Sequence, residues 1–553
     1  MSGPDCILLW CQCYHYYFVI IATHMSPNVF KITRSFSETS LLLLVTLLIL
    51  GGHNLGYFHN TLQVYQSQDN ALFKLALLSI LHGGLIFITL ALLGFGRLLK
   101  ALLAIILVFS AGTAYFTDTY NVIIDVDMID NTLKTDFAEA RDLVSMQQLL
   151  YILFLGLLPA WLVLKTPLKS KPWGQIIFRR LISLGVALIL TLGVLVSAAD
   201  FFATYIRENA NLRYYSNPLA PLFEAGLYVH QEFVAPGQQT FQIIAPDAKK
   251  MASDNKPKLS IVVVGETLRA DHFGLNGYDR NTTPLLAQEP DLINYPNVNA
   301  CGTSTAHSLP CMFSYLERTQ FNKLQANNME NALDILHKTG VQVVWIDNNS
   351  SAKGVADRVT YLDAKSPTNN TVCDPECRDI GMLSIAKNWL TPLPASDDKL
   401  IVLHQMGSHG PAYYKRYPDA FKQYTPICES NQLDSCSREE IINTYDNTVL
   451  YTDYFLSESI QWLKALQTHY EVSLLYISDH GESLGENGLY LHGYPYMFAP
   501  KAQIEVPMIT WSSKPAPTPA INQVFSHDNL FHTLLGLYNT STAVYKREMD
   551  ILK

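Results

Sequence analysis

Ser473-Leu-Leu-Tyr-Ile-Ser-Asp-His-Gly-Glu482 is an apolar run that ends in a carboxylate, an imidazole and a second carboxylate. Runs of the same kind occur at Leu259–Val264, Val341–Ile346, Leu400–Leu403 and Val506–Thr510, and stretches of helical period lie between them at Met329–Lys338, Gly381–Leu390 and Glu439–Leu466. Continuous apolar strands alternating with helices predict an α/β sandwich around a mainly parallel sheet. Ligands of such sheets collect at the carboxyl ends of the strands. The polar clusters fall there: Glu266 after the first strand, Asp347 to Lys353 after the second, His404 to His409 after the third, Asp479 to Glu482 after the fourth.

Asp479 and His480 are good zinc ligands, and Glu266 from another strand end supplies a third. Asp-His-Gly alone would read as a turn with a helix cap; the company of Glu266 favours metal. A fourth ligand comes from Asn299-Ala-Cys-Gly-Thr-Ser-Thr-Ala-His-Ser-Leu-Pro-Cys311, where three hydroxyls follow a glycine at a prospective helix start. Anions settle at such starts, and threonine becomes a nucleophile only when a metal or base activates it. Thr305 is therefore expected to complete a tetrahedral Zn2+ site and to attack phosphorus. His409 and His492 each precede glycine and are solvated loop histidines, a general acid, or ligands of a second zinc ion. Lys353 lies in the loop Asp347-Asn-Asn-Ser-Ser-Ala-Lys-Gly354. It can balance phosphate charge while Asn349 and Ser350 donate hydrogen bonds; a plain surface lysine is the alternative. His272, His307 and His404 are left as structural.

Apolar residues make up 49% of the 553, and the excess lies in the first 205. Apolar runs near Leu41–Tyr57, Leu72–Phe95, Leu98–Phe116, Leu149–Leu164 and Leu181–Phe202 approach or exceed the ~17–25 residues that span a bilayer as a helix. Lys31 and Arg34, Arg97 and Lys100, then Lys165, Lys169, Lys171, Arg179 and Arg180 fall on one side of these runs. The loop holding Asp118, Asp125, Asp127, Asp130, Asp136, Glu139 and Asp142 falls on the other. The positive-inside rule puts the start of the first run in the cytoplasm and everything after residue 205 outside it. The expected organisation is an N-terminal leader (1–34), a transmembrane domain of five helices (35–205), a linker (206–255) and a periplasmic catalytic domain (256–553). Tyr205, Tyr214, Tyr215, Phe223 and Tyr228 suit a linker lying partly on the membrane surface; a plain connector is the alternative. Ile7–Thr23 is apolar but lacks the basic flank of a signal peptide, so Met25 reads as the natural start, with an extra membrane segment as the alternative. The net charge of −9 gives no basis for nucleic-acid binding, which calls for a clustered basic face.

Six of the nine cysteines pair as near neighbours in the exported half: Cys301–Cys311, Cys373–Cys377 and Cys428–Cys436. An even, closely spaced set in an oxidising compartment predicts disulfides. A zinc site on Cys373, Cys377, Cys428 and Cys436 is the rival reading.

Taken together, Val263-Val-Gly-Glu-Thr-Leu-Arg-Ala-Asp-His-Phe273, Cys301-Gly-Thr-Ser-Thr-Ala, Pro310-Cys-Met-Phe-Ser314, Asp347-Asn-Asn-Ser and Ser478-Asp-His-Gly-Glu-Ser-Leu-Gly-Glu-Asn-Gly488 resemble the lipid A phosphoethanolamine transferases, the family of the mobile colistin-resistance enzymes. The resemblance runs from about Thr33 to the end of the motifs and implies an alkaline phosphatase/sulfatase-type fold. It implies Thr305 as nucleophile, Glu266, Thr305, Asp479 and His480 as zinc ligands, and Lys353, His409 and His492, with Asn349 and Ser350, around phosphoethanolamine or a second zinc. Asn131, Thr135 and Glu139, in the acidic loop, would contact the lipid headgroup. The implied reaction moves phosphoethanolamine from phosphatidylethanolamine to a lipid A phosphate, conferring resistance to polymyxins and other cationic peptides; a monomer in the bacterial inner membrane is expected. One departure is that Ala352 and Ala356 stand where some relatives have cysteines flanking the Lys353 loop. The rivals are a phosphoglycerol transferase, a sulfatase or a phosphoethanolamine transferase to another glycan on the same anchor, and, more distantly, a non-catalytic sensor.

Overall fold

A computed structural model describes residues 35–66, 70–134, 140–141, 143–234, 240–251, 256–374, 376–514 and 523–553. The expected leader and the choice of Met25 as start lie outside the described residues, as do Thr135 and Glu139.

The first apolar run breaks where a straight span is expected. α1 (Glu38–Gly52) and α2 (Leu55–Tyr65) meet at a bend of 56°. The cause is His53-Asn54, polar and 1% exposed, whose groups must find partners because lipid offers none. Asn54 Nδ2 donates to the carbonyls of Ile49 at 2.9 Å and Asn217 at 2.7 Å. His53 Nδ1 lies 2.8 Å from Ser110 Oγ. Its Nε2 donates at 3.0 Å to the carbonyl of Leu155, four residues before Pro159, which has no N–H to offer. Asn217 returns the contact: its backbone N–H donates to Asn54 Oδ1 at 2.9 Å and its side chain to His53 O at 3.1 Å.

α3 (Ala71–Leu92), α4 (Gly96–Tyr120), α6 (Met146–Lys165) and α7 (Trp173–Ser197) are each long and apolar enough to cross a membrane, and the bent pair α1–α2 passes the same test when its two helices are taken as one span. The short helix α5 (Val126–Lys134) lies between α4 and α6. One end of the bundle gathers the basic side chains: Arg180 pairs with Glu38 at 2.6 Å, and Lys100 donates to Thr166 O at 2.9 Å. At the other end Tyr120 donates to Asn431 O of the second half at 3.3 Å.

That second half is built on a sheet of seven strands, β1 (Lys258–Gly265), β2 (Leu292–Tyr295), β3 (Gln342–Asp347), β4 (Thr360–Asp363), β5 (Lys399–His404), β6 (Glu471–Ser478) and β7 (Met508–Ser512), in the order β2-β7-β6-β1-β5-β3-β4. The five strands from β6 to β4 run parallel; β7 and β2 pair antiparallel at one edge. β1 shows why its sequence reads as an unbroken apolar run. Leu259, Ile261 and Val263 face one layer and Val262 and Val264 the other, so both faces are covered. α10 (Met382–Leu390) and α11 (Arg438–Ala465) cover the first face. α8 (Thr305–Met312), α9 (Ala332–Lys338) and α12 (Asp528–Leu537) cover the second. The last strand starts later than the apolar run Val506–Thr510: Val506 N–H is spent on Val298 O at 3.0 Å, and Pro507 has none to give. The Cys301–Cys311, Cys373–Cys377 and Cys428–Cys436 disulfides are all formed. The four-cysteine zinc reading therefore fails, because its sulfurs are bonded to each other.

Candidate metal and nucleophile site

Glu266 and Asp479 are the first residues past the carboxyl ends of neighbouring parallel strands, β1 and β6. The sheet therefore delivers both carboxylates to one place, and His480 follows. All three are fully buried, and their ligand atoms lie within 4.8 Å of one another. Thr305 opens α8, with Ser304 as its cap residue. Thr305 Oγ1 reaches Glu266 Oε2 at 3.1 Å, Glu266 Oε1 at 3.3 Å and His480 Nε2 at 3.3 Å.

The hydrogen bonds around this cluster leave acceptors facing acceptors. His480 Nδ1 donates to Gly481 O at 2.9 Å, which assigns the ring proton to Nδ1 and leaves the Nε2 lone pair pointing inward. Burial is the largest influence on this imidazole and pulls its pKa down to about 4, so it is neutral, the form that ligates. Asp479 Oδ1 accepts the backbone N–H groups of Thr267 at 3.1 Å and His480 at 2.7 Å. Asp479 Oδ2 has no hydrogen-bond partner among the described residues and faces His480 Nε2 at 3.3 Å. Two carboxylates and a lone pair this close and this dry repel one another unless a cation lies between them. Glu266, Asp479 and His480 could together hold a metal ion, and two carboxylates and one imidazole beside a hydroxyl are donors compatible with zinc.

The surroundings hold these ligands still. Asn349 Nδ2 donates to Glu266 Oε2 and to Gln405 O, each at 2.8 Å. Gly407, at φ +51°, passes so close to Glu266 that a β-carbon there would meet its backbone at 2.9 Å, which keeps the 405–409 loop against the site. Ser478 Oγ donates to His480 O at 3.0 Å. His527 joins the two halves of the site, accepting Cys301 N–H on Nδ1 at 3.0 Å and donating from Nε2 to Ser478 O at 2.9 Å.

A second group of histidines lies beside the first. The His492 ring centre lies 4.4 Å from that of His480, tilted to it, and 5.9 Å from that of His409, edge-on. His492 Nδ1 bonds Glu482 Oε2 at 3.0 Å, and Tyr413 donates to Glu482 Oε1 at 3.0 Å. Lys353 is buried, sits at φ +48° and donates to Ser350 O at 3.2 Å; its loop touches the cluster through Asn349. Asn131 is half-buried on α5. His404, left as structural, bonds Asp347 Oδ2 at 3.0 Å within the core, and His272 bonds Asp446 at 2.7 Å.

Sequence reasoning brings Glu266, Thr305, Asp479, His480 and Asn349 together and leaves Glu482, Gln405 and His527 unassigned. Glu482 stands in the quoted Ser478–Glu482 motif, two residues past His480, and that spacing was a signal. His527 carries no local signal, and Gln405 acts through its backbone.

Residues 84–233 match the family model for phosphoethanolamine transferase EptA/EptB, and residues 258–540 match that for sulfatases. The chain is 42% identical over 522 residues to phosphatidylethanolamine transferase Mcr-1 of Escherichia coli, covering 92% of this chain and 96% of that protein. It is 37% identical over 525 residues to phosphoethanolamine transferase EptA of Escherichia coli strain K12, covering 90% and 94%. Its structure superposes on the integral membrane lipooligosaccharide phosphoethanolamine transferase A of Neisseria meningitidis with a TM-score of 0.88 at 32% identity, covering 94% of this chain and 99% of that one.

Proposed function

Because the chain belongs to the phosphoethanolamine transferases, we propose that it takes phosphoethanolamine from phosphatidylethanolamine and places it on a lipid A phosphate. The observation that carries the reading is the buried set Glu266, Thr305, Asp479 and His480, with Asp479 Oδ2 lacking a hydrogen-bond partner among the described residues and the Thr305 hydroxyl within 3.3 Å of two of the others.

These four residues would hold Zn2+, which would supply the positive charge that favours the ionised threonine oxygen. Thr305 Oγ forms a bond to phosphorus as the phosphorus–oxygen bond to glycerol breaks. The hydroxyl proton ends on the departing diacylglycerol. An oxygen of the lipid A phosphate then attacks the same phosphorus, the bond to Thr305 Oγ breaks, and the threonine recovers its proton. Two half-reactions through one covalent adduct give ping-pong kinetics. Asn349 orients the Glu266 carboxylate, and Glu482 orients His492 for the phosphoethanolamine or a second zinc ion. Lys353 and Ser350 lie with Asn349 on the phosphate side, and Asn131 on the lipid side.

The chain is a monomer in the bacterial inner membrane, with a transmembrane domain over residues 35–205, a linker over 206–255 partly on the membrane surface and a catalytic domain over 256–553 in the periplasm. Adding a cationic amine to a lipid phosphate weakens the surface's attraction for polymyxins and other cationic peptides. Mass spectrometry of lipid A from cells expressing the chain tests this: a mass gain of one phosphoethanolamine is expected. Unmodified lipid A with a modified core sugar or another glycan would move the acceptor, and no modified glycan at all would overturn the reading.

A further inference from the structure

The segment that carries His492 touches both halves of the protein. On its catalytic side it is tied to the loop of the nucleophile by two short hydrogen bonds: Gly493 N–H donates to Thr303 O, and Thr303 Oγ1 donates to Tyr494 O, both at 2.7 Å. Thr303 stands two residues before Thr305. On its membrane side, Tyr494 and Tyr215 share a buried hydroxyl–hydroxyl bond at 3.0 Å. Both rings pack in one apolar cluster with Tyr57 and Ile123 of the membrane half. Met128 of α5 lies over Gly493 so closely that a β-carbon there would come within 2.6 Å of its Cε, and Gly493 adopts φ +84°. α5 also reaches the nucleophile helix itself, where Asp127 lies 3.3 Å from His307, and Asp130 forms an ion pair with Lys323.

We infer that Met128 and Tyr215 are positioning residues: the membrane half fixes the His492–Tyr494 segment and, through Thr303, the start of α8. Neither side chain touches the metal ligands. Each acts on the 493–494 backbone, which is hydrogen-bonded to Thr303 two residues before Thr305, so the site takes its final geometry only when the catalytic half is seated on the membrane half. This rests on the reading of Thr305 as nucleophile for its effect on rate, but its mechanical part does not.

Two measurements on the full chain in lipid nanodiscs separate these. In hydrogen–deuterium exchange, Tyr215→Phe and Met128→Ala should each speed exchange in residues 489–499 and 301–305, while α11 exchanges as in the unsubstituted chain. In the first half-reaction, Tyr215→Phe should slow formation of the Thr305 adduct from phosphatidylethanolamine by about three- to tenfold, the scale of one net hydrogen bond, with KM for the lipid unchanged. Tyr494→Phe removes the other end of the same bond, so the double variant should be no slower than the slower single. Unchanged exchange in both segments, or rate losses that multiply in the double variant, would overturn the inference. An unsubstituted chain that forms no adduct would sink the proposed reaction, and the exchange data would still decide the coupling.

Discussion

Asn349 donates one side-chain N–H pair to both Glu266 Oε2 and Gln405 O, each at 2.8 Å. The amide thus ties Glu266, just past β1, to the loop after β5 and orients its carboxylate. Asn349→Ala should weaken zinc binding by about 10–100-fold, the usual cost of losing such a support. Competition against a chromogenic chelator measures it. Affinity equal to that of the unsubstituted protein would show that Glu266 is held by its backbone alone.

Thr305→Ala should abolish the covalent adduct while leaving membrane insertion intact, because it removes one small hydroxyl. Thr303→Ala should retain adduct formation at a reduced rate and lose about 1 kcal/mol of stability, since it deletes one buried hydrogen bond to Tyr494 O. Peptide mass spectrometry of the Cys301–Cys311 fragment locates the adduct. Finding phosphoethanolamine on Thr303 or Ser304 would reassign the nucleophile.

Stability should fall on mild acidification. Burial is the main cause that pulls the His527 pKa from 6.5 to about 4. Between those values the unfolded chain binds a proton at this residue and the folded chain does not, so stability rises with pH through that window. His527→Gln should flatten the melting temperature against pH between about 6.5 and 4. An unaltered slope would place the acid sensitivity on other groups.

A reporter that works only in the periplasm, fused after Lys553, should be active, because an odd number of crossings follows a cytoplasmic start. Activity of a cytoplasmic reporter at that position would mean that the bent pair α1–α2 does not cross, or that residues 1–34 add a crossing.

Reduction of Cys301–Cys311 should cost about 3 kcal/mol by freeing a loop of this size and should slow the reaction more than reduction of either other pair, because this loop encloses Thr305. Non-reducing peptide mapping paired with rate measurements on Cys→Ala pairs checks it.

The parallel centre of the sheet was legible because strands buried on both faces leave little room for polar residues, and β1 and β5 read as mainly apolar runs for that reason. The edges were not. β4 has two exposed residues among four, and β2 is four residues long, so neither carries a periodic signal. The meeting of Glu266 and Asp479 was legible because strand ends bring them together by topology alone. Lys353, His409 and His492 stand on loops whose course depends on long-range contacts, such as Gly407 against Glu266, that no local spacing encodes. The break at His53-Asn54 was hidden for a related reason: apart from Ile49 O, its partners are His82, Ser110, Leu155 and Asn217, all far along the chain.

That break has a consequence for the order in which the protein is made. His53 and Asn54 emerge early, yet apart from Ile49 O the groups that satisfy them come later, from His82 of α3, from α4 and α6, and finally from Asn217, beyond the last span. Until residue 217 has been synthesised, the first helical pair carries unsatisfied polar groups in or beside lipid, where such groups are costly. The membrane half is thus closed by its last segment, as a ring is closed by its clasp. A chain cut before residue 217 would leave α1 and α2 without the Asn217 contacts that close their bend, however complete the apolar spans.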